Sequence, residues 1–358
     1  MVKKGFKALG ILVLVIVVIA AAYVAYLFIS YKRLPDNLPV EMDGGETAVS
    51  AVSGQEYDIV TWNLGFGAYS ADYSFFMDGG TESRARSEAA VLENIGGGVD
   101  VLKNLNADFM LLQELDLQAT RSYKVDEVAL VRSSFEDYTA MFAQNYDSAY
   151  LFYPILEPHG ATKAGILTLS SVGVESAIRH SLPVETGVMK FFDLDRCYSV
   201  SRIPVDNGKA LCLYNLHLSA YTSDGRIATE QLKILLQDMA AEYAAGNYVV
   251  GGGDFNKDLL GNSSEVFGVS GENYTWAQPI PAEIYPEGLS LVSSLDAANP
   301  VPSCRNADKA YQPGESFVLT VDGFIVSDNV HVSECRVMDE GFAYSDHNPV
   351  VMTFTLLD

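Results

Sequence analysis

The chain has 358 residues, of which 49% are hydrophobic and 19% are charged. This composition can bury a large core, which excludes a wholly disordered or fibrous protein, and the length fits two ordinary domains or one large sandwich or barrel. The 23 basic residues stand against 46 acidic ones, a formal net charge of -23. Because such a charge repels polyanions, we expect no stable partnership with duplex DNA, and any phosphate chemistry would rely on local metal ions.

The amino terminus has the pattern of a membrane anchor. Residues 8–30 carry no charged side chain, and a helix of this length spans the hydrocarbon of a bilayer, about 30 Å. Lys3, Lys4 and Lys7 precede it, which predicts a short cytosolic terminus at residues 1–7 and a single-pass protein of the cell membrane with an extracellular body. A cleaved signal peptide is the alternative, although the apolar run is longer than the roughly 7–15 residues of a signal core.

After the anchor, the composition predicts a stalk and then one soluble body. Residues 31–55 are rich in Pro, Gly and acidic residues and lack apolar periodicity, whereas residues 56–358 mix helical and β-type patterns. Because strands and helices do not alternate strictly, we predict a layered α/β sandwich rather than a parallel barrel or a doubly wound sheet. The helical patterns cover 82–105, interrupted near Gly96, and 225–243; the β-type runs are 57–62, 108–113, 164–170, 197–204, 210–217, 248–252, 316–326 and 350–356.

The four cysteines are too few for a disulfide scaffold. An Asn-Gly dipeptide at residues 207–208 predicts a two-residue hairpin turn, which would place Cys212 opposite Ile203 rather than opposite Cys197. We therefore expect no disulfide between Cys197 and Cys212. The sequence does not decide whether the other two cysteines pair.

Several apolar strand patterns end in a polar residue, as expected where a fold displays groups to a shared cleft. Asn63 ends the first pattern, and alone it is best explained by hydrogen bonds to turn amides. Glu114 closes a second one, where a buried carboxylate is costly unless a cation compensates it, so a metal ligand and a surface turn residue are equally good interpretations. His217 lies in an alternating strand, and a lone His there is more often structural than catalytic.

The later segments carry stronger signals. Asp254 and Asn256 follow three glycines, which would let the backbone approach a ligand, and their spacing points both side chains to the same side. One can take a proton or bind a cation while the other donates to a phosphate oxygen. Asp322 interrupts an apolar strand and needs a partner, which His347, next to Asp346, can supply.

Taken in order, these segments resemble the endonuclease/exonuclease/phosphatase superfamily, which includes DNase I, apurinic endonucleases, neutral sphingomyelinases and inositol-polyphosphate 5-phosphatases. The resemblance covers about residue 57 to the carboxyl end and rests most on the sequences GGDFN at 252–256 and SDHNP at 345–349. It implies a DNase I-like, four-layer α/β sandwich with two central, mainly antiparallel sheets. One metal-dependent site would lie at the strand ends.

The resemblance also implies roles for the polar residues. Asn63 and Glu114 would hold an essential divalent ion, Mg²⁺ with Mn²⁺ or Ca²⁺ as alternatives, and Asp346 would support the metal or the imidazole. Asp254 would orient or deprotonate the attacking water. Asn256 would be a phosphate ligand.

The two histidines complete this predicted site. Asp322 and His347 would form the carboxylate–imidazole pair of the superfamily, and a protonated His347 can bind phosphoryl oxygens. His217 matches an additional histidine of the DNase I and sphingomyelinase branches, and we predict that it protonates the leaving group.

The sequence indicates the chemistry more readily than the substrate. Lys163 and Arg305 are the basic residues that we expect nearest the phosphate, with a surface charge as the alternative for each. Aromatic residues at 69–76 either line the cleft or belong to the core. A phospholipid headgroup, an extracellular nucleic acid and a small phosphoester are the candidate substrates.

These patterns predict a membrane-tethered, metal-dependent hydrolase of phosphoester bonds, a phosphodiesterase or a phosphatase, which we expect to be a monomer. The alternative is a surface binding module that keeps the fold without turnover. The number of costly polar groups argues against this alternative, because a binding module has no need of them.

Overall fold

The computed structural model describes residues 2–45, 49–187, 189–191, 195–220, 225–271, 274, 276–293 and 299–358. Among these, the α-helices are α1 (Val2–Ser30), α2 (Glu88–Leu105), α3 (Glu127–Arg132), α4 (Arg226–Ala244) and α5 (Ser263–Val266). The strands are β1 (Leu38–Pro39), β2 (Met42–Asp43), β3 (Glu56–Asn63), β4 (Phe109–Asp116), β5 (Thr139–Asp147), β6 (Lys163–Ser170), β7 (Ser176–Ser181), β8 (Cys197–Pro204), β9 (Ala210–His217), β10 (Tyr248–Asp254), β11 (Leu289–Ser293), β12 (Cys304–Arg305), β13 (Val318–Leu319), β14 (Asp322–Ser327), β15 (Val330–Val337) and β16 (Val350–Leu356).

Most strands belong to two seven-stranded sheets. Sheet 1 has the order β1-β7-β8-β9-β10-β14-β11, and sheet 2 has the order β15-β16-β3-β4-β6-β5-β2. Within the described residues, the pairs β3 with β4 and β9 with β10 are parallel and the other neighbours in the two sheets are antiparallel. The predicted mainly antiparallel sheets are thus confirmed.

Apolar side chains hold four layers together. Facing side chains of the two sheets, such as Phe109 of sheet 2 and Phe324 of sheet 1, form the central core. Helices α2 and α3 cover the outer face of sheet 2, and α4 covers the outer face of sheet 1. Burial of apolar surface on both faces of each sheet favours this arrangement, which is the predicted four-layer α/β sandwich.

Helix α1 precedes the sandwich and is long and apolar enough to cross a membrane. Its apolar stretch is not buried against the body, which leaves these side chains available to lipid. A signal sequence near the amino terminus has the same length and composition, so α1 by itself is weak support for an anchor.

The predicted stalk contributes to the sandwich. Strand β1 pairs with β7 at the edge of sheet 1, and β2 pairs with β5 at the edge of sheet 2. Ala51 is fully buried and forms a bridge with Val205, while residues 46–48 of the same stretch lie outside the described residues. Strands of two residues are too short to show periodicity, which explains why the sequence resembled a free linker.

Two local predictions are wrong, and packing explains the first of them. Helix α2 begins after its N-cap Ser87, whose side chain accepts the N–H of Ala90 at 3.1 Å, and it continues unbroken through the three glycines at 96–98. A Cβ atom at Gly97 would lie 2.2 Å from the ring of Tyr344, so this glycine allows close packing rather than ending the helix. The run predicted at 316–326 is divided into β13 and β14.

The hairpin between β8 and β9 also differs by one residue from the prediction. Its loop has three residues, with Gly208 at a φ of +83°, and Cys212 lies opposite Arg202 instead of Ile203. A three-residue loop that ends in a left-handed glycine is the next most common hairpin after the two-residue turn. All four cysteines are free, which confirms that Cys197 and Cys212 are not bridged.

Candidate active site

The predicted polar residues meet at one end of the sandwich. There, the carboxyl ends of β3, β4, β9 and β10 lie beside the amino end of β14, and the register places Asp254 next to His217 on one side and Asp322 on the other. The cleft at this end encloses about 510 Å³, part of it open to solvent. Seven of the predicted site residues line it: Glu114, His217, Asp254, Asn256, Arg305, Asp346 and His347.

A bulge in β4 directs Glu114 toward this cleft. The pairing of β4 with β6 shifts between Leu112 and Leu115, and Glu114 has a φ of +56° in the left-handed region. Such a conformation costs a non-glycine residue about 1–3 kcal/mol, and it persists where the surroundings impose it, often at functional sites. Glu114 Oε1 accepts a hydrogen bond from Asn63 Nδ2 at 3.2 Å.

A buried charged cluster supports the bulge from behind. The guanidinium of Arg121 donates to both carboxylate oxygens of Asp116 at 3.0–3.3 Å and lies 3.8 Å from the ring centre of Phe66. Glu127 Oε2 accepts the N–H of Asp116 at 2.9 Å. Burial, followed by the charge of Asp116, raises the pKa of Glu127 well above its usual range, so Glu127 is neutral and Arg121 compensates Asp116.

Replacing Arg121 with Met is expected to lower the free energy of unfolding by about 3–5 kcal/mol, because Asp116 would remain buried without its cation. Urea denaturation at neutral pH measures the change. Arg132→Met is the matched control, since Arg132 pairs with Asp43 at the surface and an exposed pair contributes at most about 1 kcal/mol. Equal losses in the two variants would contradict a supporting role for the cluster.

Asp254 lies at the centre of the cleft. Its Oδ2 accepts from Asn63 Nδ2 at 3.0 Å and its Oδ1 accepts the N–H of Asn256 at 2.8 Å. The Nε2 atoms of His217 and His347 lie 3.5 and 3.8 Å from the same Oδ2 atom. Burial raises the pKa of Asp254 to about 7, although the nearby His347 opposes this shift. A carboxylate with this pKa can accept a proton near neutral pH.

His347 is held by a buried carboxylate, as the sequence predicted for this pair. Its Nδ1 lies 2.8 Å from Asp322 Oδ2, which also accepts from Ser303 Oγ at 2.7 Å. Burial alone would lower the pKa of His347, but Asp322, Cys304 and Asp254 together raise it well above its usual range. The imidazole is therefore a protonated group at the floor of the cleft.

His217 has the opposite electrostatics. Burial, followed by the charges of Arg196 and His347, lowers its pKa well below the usual range. His217 is consequently neutral, and a cation bound in the cleft would lower the pKa further. A neutral imidazole accepts a proton more readily than it donates one, so these electrostatics do not favour the predicted role of His217 as the acid for the leaving group.

The predicted phosphate-binding residues differ in position. Asn256 lines the cleft, with its Nδ2 donating to the carbonyl oxygen of Leu218 at 2.9 Å. Arg305 is 1% exposed, and its guanidinium donates to the carbonyl oxygens of Ser70 and Tyr73 at 3.0 and 3.2 Å, so it supports the cleft wall as well as lining it. Lys163 is exposed at the start of β6 and is not among the described residues that line the cleft.

Ser303 is a part of the site that the sequence analysis missed. Besides donating to Asp322, its Oγ accepts the N–H groups of Val321 and Asp322 at 3.0 and 3.1 Å. One hydroxyl thus fixes the carboxylate that holds the imidazole. Nothing in a single sequence distinguishes this serine from others, because Ser303 meets Asp322 only through the folding of a distant loop. Tyr69, from the predicted aromatic stretch, also lines the cleft and packs on core aromatics.

The site offers donors that suit a divalent cation. Atoms of Asp254, Asp322 and His347 lie within 4.8 Å of one another and could hold a metal ion. However, Asp322 and a protonated His347 already compensate each other. Glu114 and Asp346 offer further carboxylate oxygens. Burial raises the pKa of Asp346 to about 6, while the charges of His347 and Arg305 lower it and that of Glu114 raises it. Carboxylate oxygens are the donors that hard divalent cations prefer.

Asn63 could join Glu114 and Asp346 as a metal ligand if its side-chain amide rotated. Its Oδ1 accepts the N–H of Gly65 at 2.9 Å, while its Nδ2 faces the carboxylates of Glu114 and Asp254. The amide NH₂ thus lies among negative charges, where a cation would be bound. A half-turn of the amide would direct Oδ1 to that position.

The layer order and the polar cleft at the strand ends define the endonuclease/exonuclease/phosphatase fold, as the sequence predicted. Solved structures share it: an endonuclease/exonuclease/phosphatase from Beutenbergia cavernae DSM 12333 has a TM-score of 0.57 and 16% identity, over 85% of this chain and 72% of that one. ANGEL2, a 2',3'-cyclic phosphatase in complex with adenosine-2',3'-vanadate, has a TM-score of 0.56 and 16% identity, and the match covers 89% of this chain and 99% of ANGEL2. D. rerio TDP2, complexed with single strand DNA product, has a TM-score of 0.53 and 16% identity, and the match covers 84% of this chain and 99% of that TDP2 chain.

No protein-family model matches the sequence, and no curated protein matches it. The likeness to solved structures therefore supports the fold and carries no substrate to this chain by itself.

Proposed function

We propose that the chain is a membrane-anchored, metal-dependent hydrolase of phosphoester bonds that belongs to the endonuclease/exonuclease/phosphatase superfamily. The observation that carries the proposal is one cluster of contacting polar side chains at the cleft, drawn from five separate strand ends or loops: Asn63, Glu114, Asp254, Asp322 and His347. Burying so many polar groups is costly, and a binding module would have no use for them.

In this proposal, Asp254 and His347 divide the proton chemistry. Asp254, as the carboxylate, accepts the proton of a water whose oxygen attacks phosphorus in line, while the opposite phosphorus–oxygen bond breaks and the leaving oxygen takes a proton from solvent. His347, kept protonated by Asp322, donates to a phosphoryl oxygen and stabilises the charge that develops there. Asn256 orients the phosphate, and the neutral His217 positions Asp254 and the water. Arg305 contributes positive charge at the wall of the cleft.

We propose Glu114, Asn63 and Asp346 as the residues that hold the divalent ion, Mg²⁺ in the first instance and Mn²⁺ or Ca²⁺ as alternatives. When bound, the ion would supply the Lewis acidity that polarises a phosphoryl oxygen and neutralises charge. The proposed chain organisation is a cytosolic terminus at 1–7, an anchor at 8–30, a connection at 31–55 and an extracellular catalytic domain at 56–358, acting as a monomer.

The full chain in detergent is expected to hydrolyse bis(p-nitrophenyl) phosphate or p-nitrophenyl phosphate with Mg²⁺, and to lose this activity in EDTA. EDTA would remove the ion that compensates the charges of Glu114 and Asp346 and polarises the phosphoryl oxygen, so the rate should fall. Release of p-nitrophenolate measures it, and re-addition of Mg²⁺ after EDTA is the control. No turnover with Mg²⁺, Mn²⁺ or Ca²⁺ on diesters, monoesters and phospholipids would support the silent binding module instead.

A further inference from the structure

A loop between β5 and β6 exposes apolar side chains to an unusual degree. Phe152, Tyr153, Ile155 and Leu156 are 56, 66, 83 and 100% exposed. Four large apolar side chains within five residues form a continuous patch, which a soluble surface avoids unless something covers it. We call residues 150–156 the apolar loop.

The apolar loop contacts α1 directly. Tyr23 Oη donates to the carbonyl oxygen of Tyr150 at 3.0 Å, and the ring of Tyr23 lies 5.0 Å from that of Phe152 in an edge-to-face arrangement. Tyr26 Oη accepts the N–H of Tyr150 at 3.1 Å. Tyr23 precedes the helix end at Ser30 by seven residues, or about 10 Å along the axis. The loop therefore extends alongside the apolar part of the helix.

The apolar loop and the cleft lie at the same end of the sandwich. The loop lies in the connection at residues 148–162, which leads into the start of β6. Ala164 of that strand pairs with Asp116 at the end of β4, two residues beyond the cleft residue Glu114. The carboxyl end of β4 and the amino end of β6 thus coincide, as they must in an antiparallel pair.

A second contact joins α1 to this end of the sandwich. Arg33 Nη2 donates to the carbonyl oxygen of Leu182 at 2.6 Å, and the rings of Phe28 and Phe191 lie 5.1 Å apart. Both body residues belong to the connection between β7 and β8, which ends at the cleft residue Arg196. Helix α1 and the residues just after it thus contact two connections at the cleft end of the sandwich.

The rim of the cleft also contacts the apolar loop. The ring of Tyr153 lies 5.7 Å from that of Phe76, which packs on Phe75 at 4.9 Å, and Phe75 packs on the cleft residue Tyr69 at 5.5 Å. A row of aromatic contacts thus extends from the apolar loop to the cleft.

We propose that the apolar loop inserts into the bilayer that holds α1, so that the cleft opens at the membrane-facing end and takes a lipid headgroup phosphoester. The inference rests on the proposed function and names its substrate class. A bilayer is the occupant because the loop continues an apolar surface that α1 begins, and tyrosines at this level are typical of the membrane interface. The net charge of -23 means that apolar insertion, not attraction to anionic lipid, would hold the body down.

Depth measurements test the insertion on the full chain reconstituted into phosphatidylcholine vesicles. Leu156→Trp places an indole in the loop, and Leu357→Trp is the control, because Leu357 follows β16 at the opposite end of the sheets and is 43% exposed. The native Trp62 and Trp276 give the same background in both variants. We expect lipids with brominated acyl chains to quench the loop indole and iodide to quench only the control.

Two outcomes overturn the insertion. Iodide quenching of the Leu156→Trp indole as strong as that of the control would show a loop in water. Protection from iodide without quenching by brominated lipid would show that a protein surface, such as a second copy, covers the loop.

A second variant tests the substrate class separately. Ile155→Glu with Leu156→Glu is expected to lose release of phosphorus-containing headgroups from vesicles of mixed phosphatidylcholine, phosphatidylethanolamine, phosphatidylglycerol, phosphatidylinositol and sphingomyelin, while its bis(p-nitrophenyl) phosphate hydrolysis stays unchanged. Equal headgroup release by the variant and the unsubstituted chain, or release by neither, overturns the lipid substrate. Absence of diester and monoester hydrolysis in the unsubstituted chain would instead count against the proposed function and leave the depth result standing.

Discussion

Replacing Asp254 with Asn is expected to lower kcat for phosphoester hydrolysis by about 10²–10⁴-fold, the contribution of a positioned general base. Asn has nearly the same shape, and its one side-chain oxygen can still accept the N–H of Asn256. Its NH₂ group cannot accept from Asn63 Nδ2, as Asp254 Oδ2 does, and it cannot take a proton from water. The measurement is initial-rate kinetics on bis(p-nitrophenyl) phosphate with saturating Mg²⁺. Asp100→Asn on the exposed face of α2 is the matched control and should keep the full rate.

The stability of the Asp254→Asn variant separates lost chemistry from lost structure. Burial raises the pKa of Asp254 in the folded chain to about 7, whereas an unfolded Asp titrates near pH 4. The folded state then binds more protons between these values, so this residue costs stability as the pH rises through that window and continues to cost it above pH 7. In EDTA at pH 8, the variant should therefore unfold at the same or a higher urea concentration. An inactive variant that is also less stable would contradict the assignment as a base.

Much of the sandwich was predictable because its central strands have strong apolar patterns. The run at 210–217 coincides with β9 and the run at 350–356 with β16, since both strands are buried between neighbours on each side. The short edge strands were not predicted because they lack such patterns. β1 and β2 have two residues each, and their pairing depends on partners more than 90 residues away in the chain.

The sequence indicated which residue types form the site, but it indicated less well why individual residues occupy their positions. The glycines before Asp254 were expected to admit a ligand, but a Cβ atom at Gly253 would lie 1.9 Å from the carbonyl oxygen of Leu216. They let β10 pack against its neighbours, and they place Asp254 only indirectly. Lys163 is the predicted phosphate-binding residue that the fold leaves exposed and outside the cleft lining, because a basic residue type alone does not determine which surface it occupies.

The protonation states of the two site histidines could not be predicted from the sequence, because they depend on burial and on neighbouring charges. His217 and His347 are both histidines at polar strand ends, yet one has its pKa lowered and the other raised. The difference comes from Asp322, which reaches His347 and not His217 in the described contacts. Neighbouring titratable groups whose surroundings move their pKa values apart are the arrangement that acid–base catalysis needs.

Asp322→Asn is expected to be nearly as damaging as loss of Asp254, with about a 10²–10⁴-fold lower kcat at pH 8. The carboxylate is the largest influence that raises the pKa of His347, so without it the imidazole loses its proton at a lower pH. The loss should therefore shrink as the pH falls, and the alkaline limb of the kcat profile should move to lower pH, which a merely structural defect would not produce.

Ser303→Ala is the matched control for this prediction. It removes the hydrogen bond to the Asp322 carboxylate and the acceptor for the N–H groups of Val321 and Asp322, but it keeps the negative charge. We therefore expect about a tenfold loss, which corresponds to about 1.4 kcal/mol, with the pH profile unchanged. The measurement is kcat from pH 5 to 9 for both variants, with far-ultraviolet circular dichroism as the test of folding. If Asp322→Asn kept the original profile, His347 would not act as a protonated group, and the division of roles between Asp254 and His347 would be wrong.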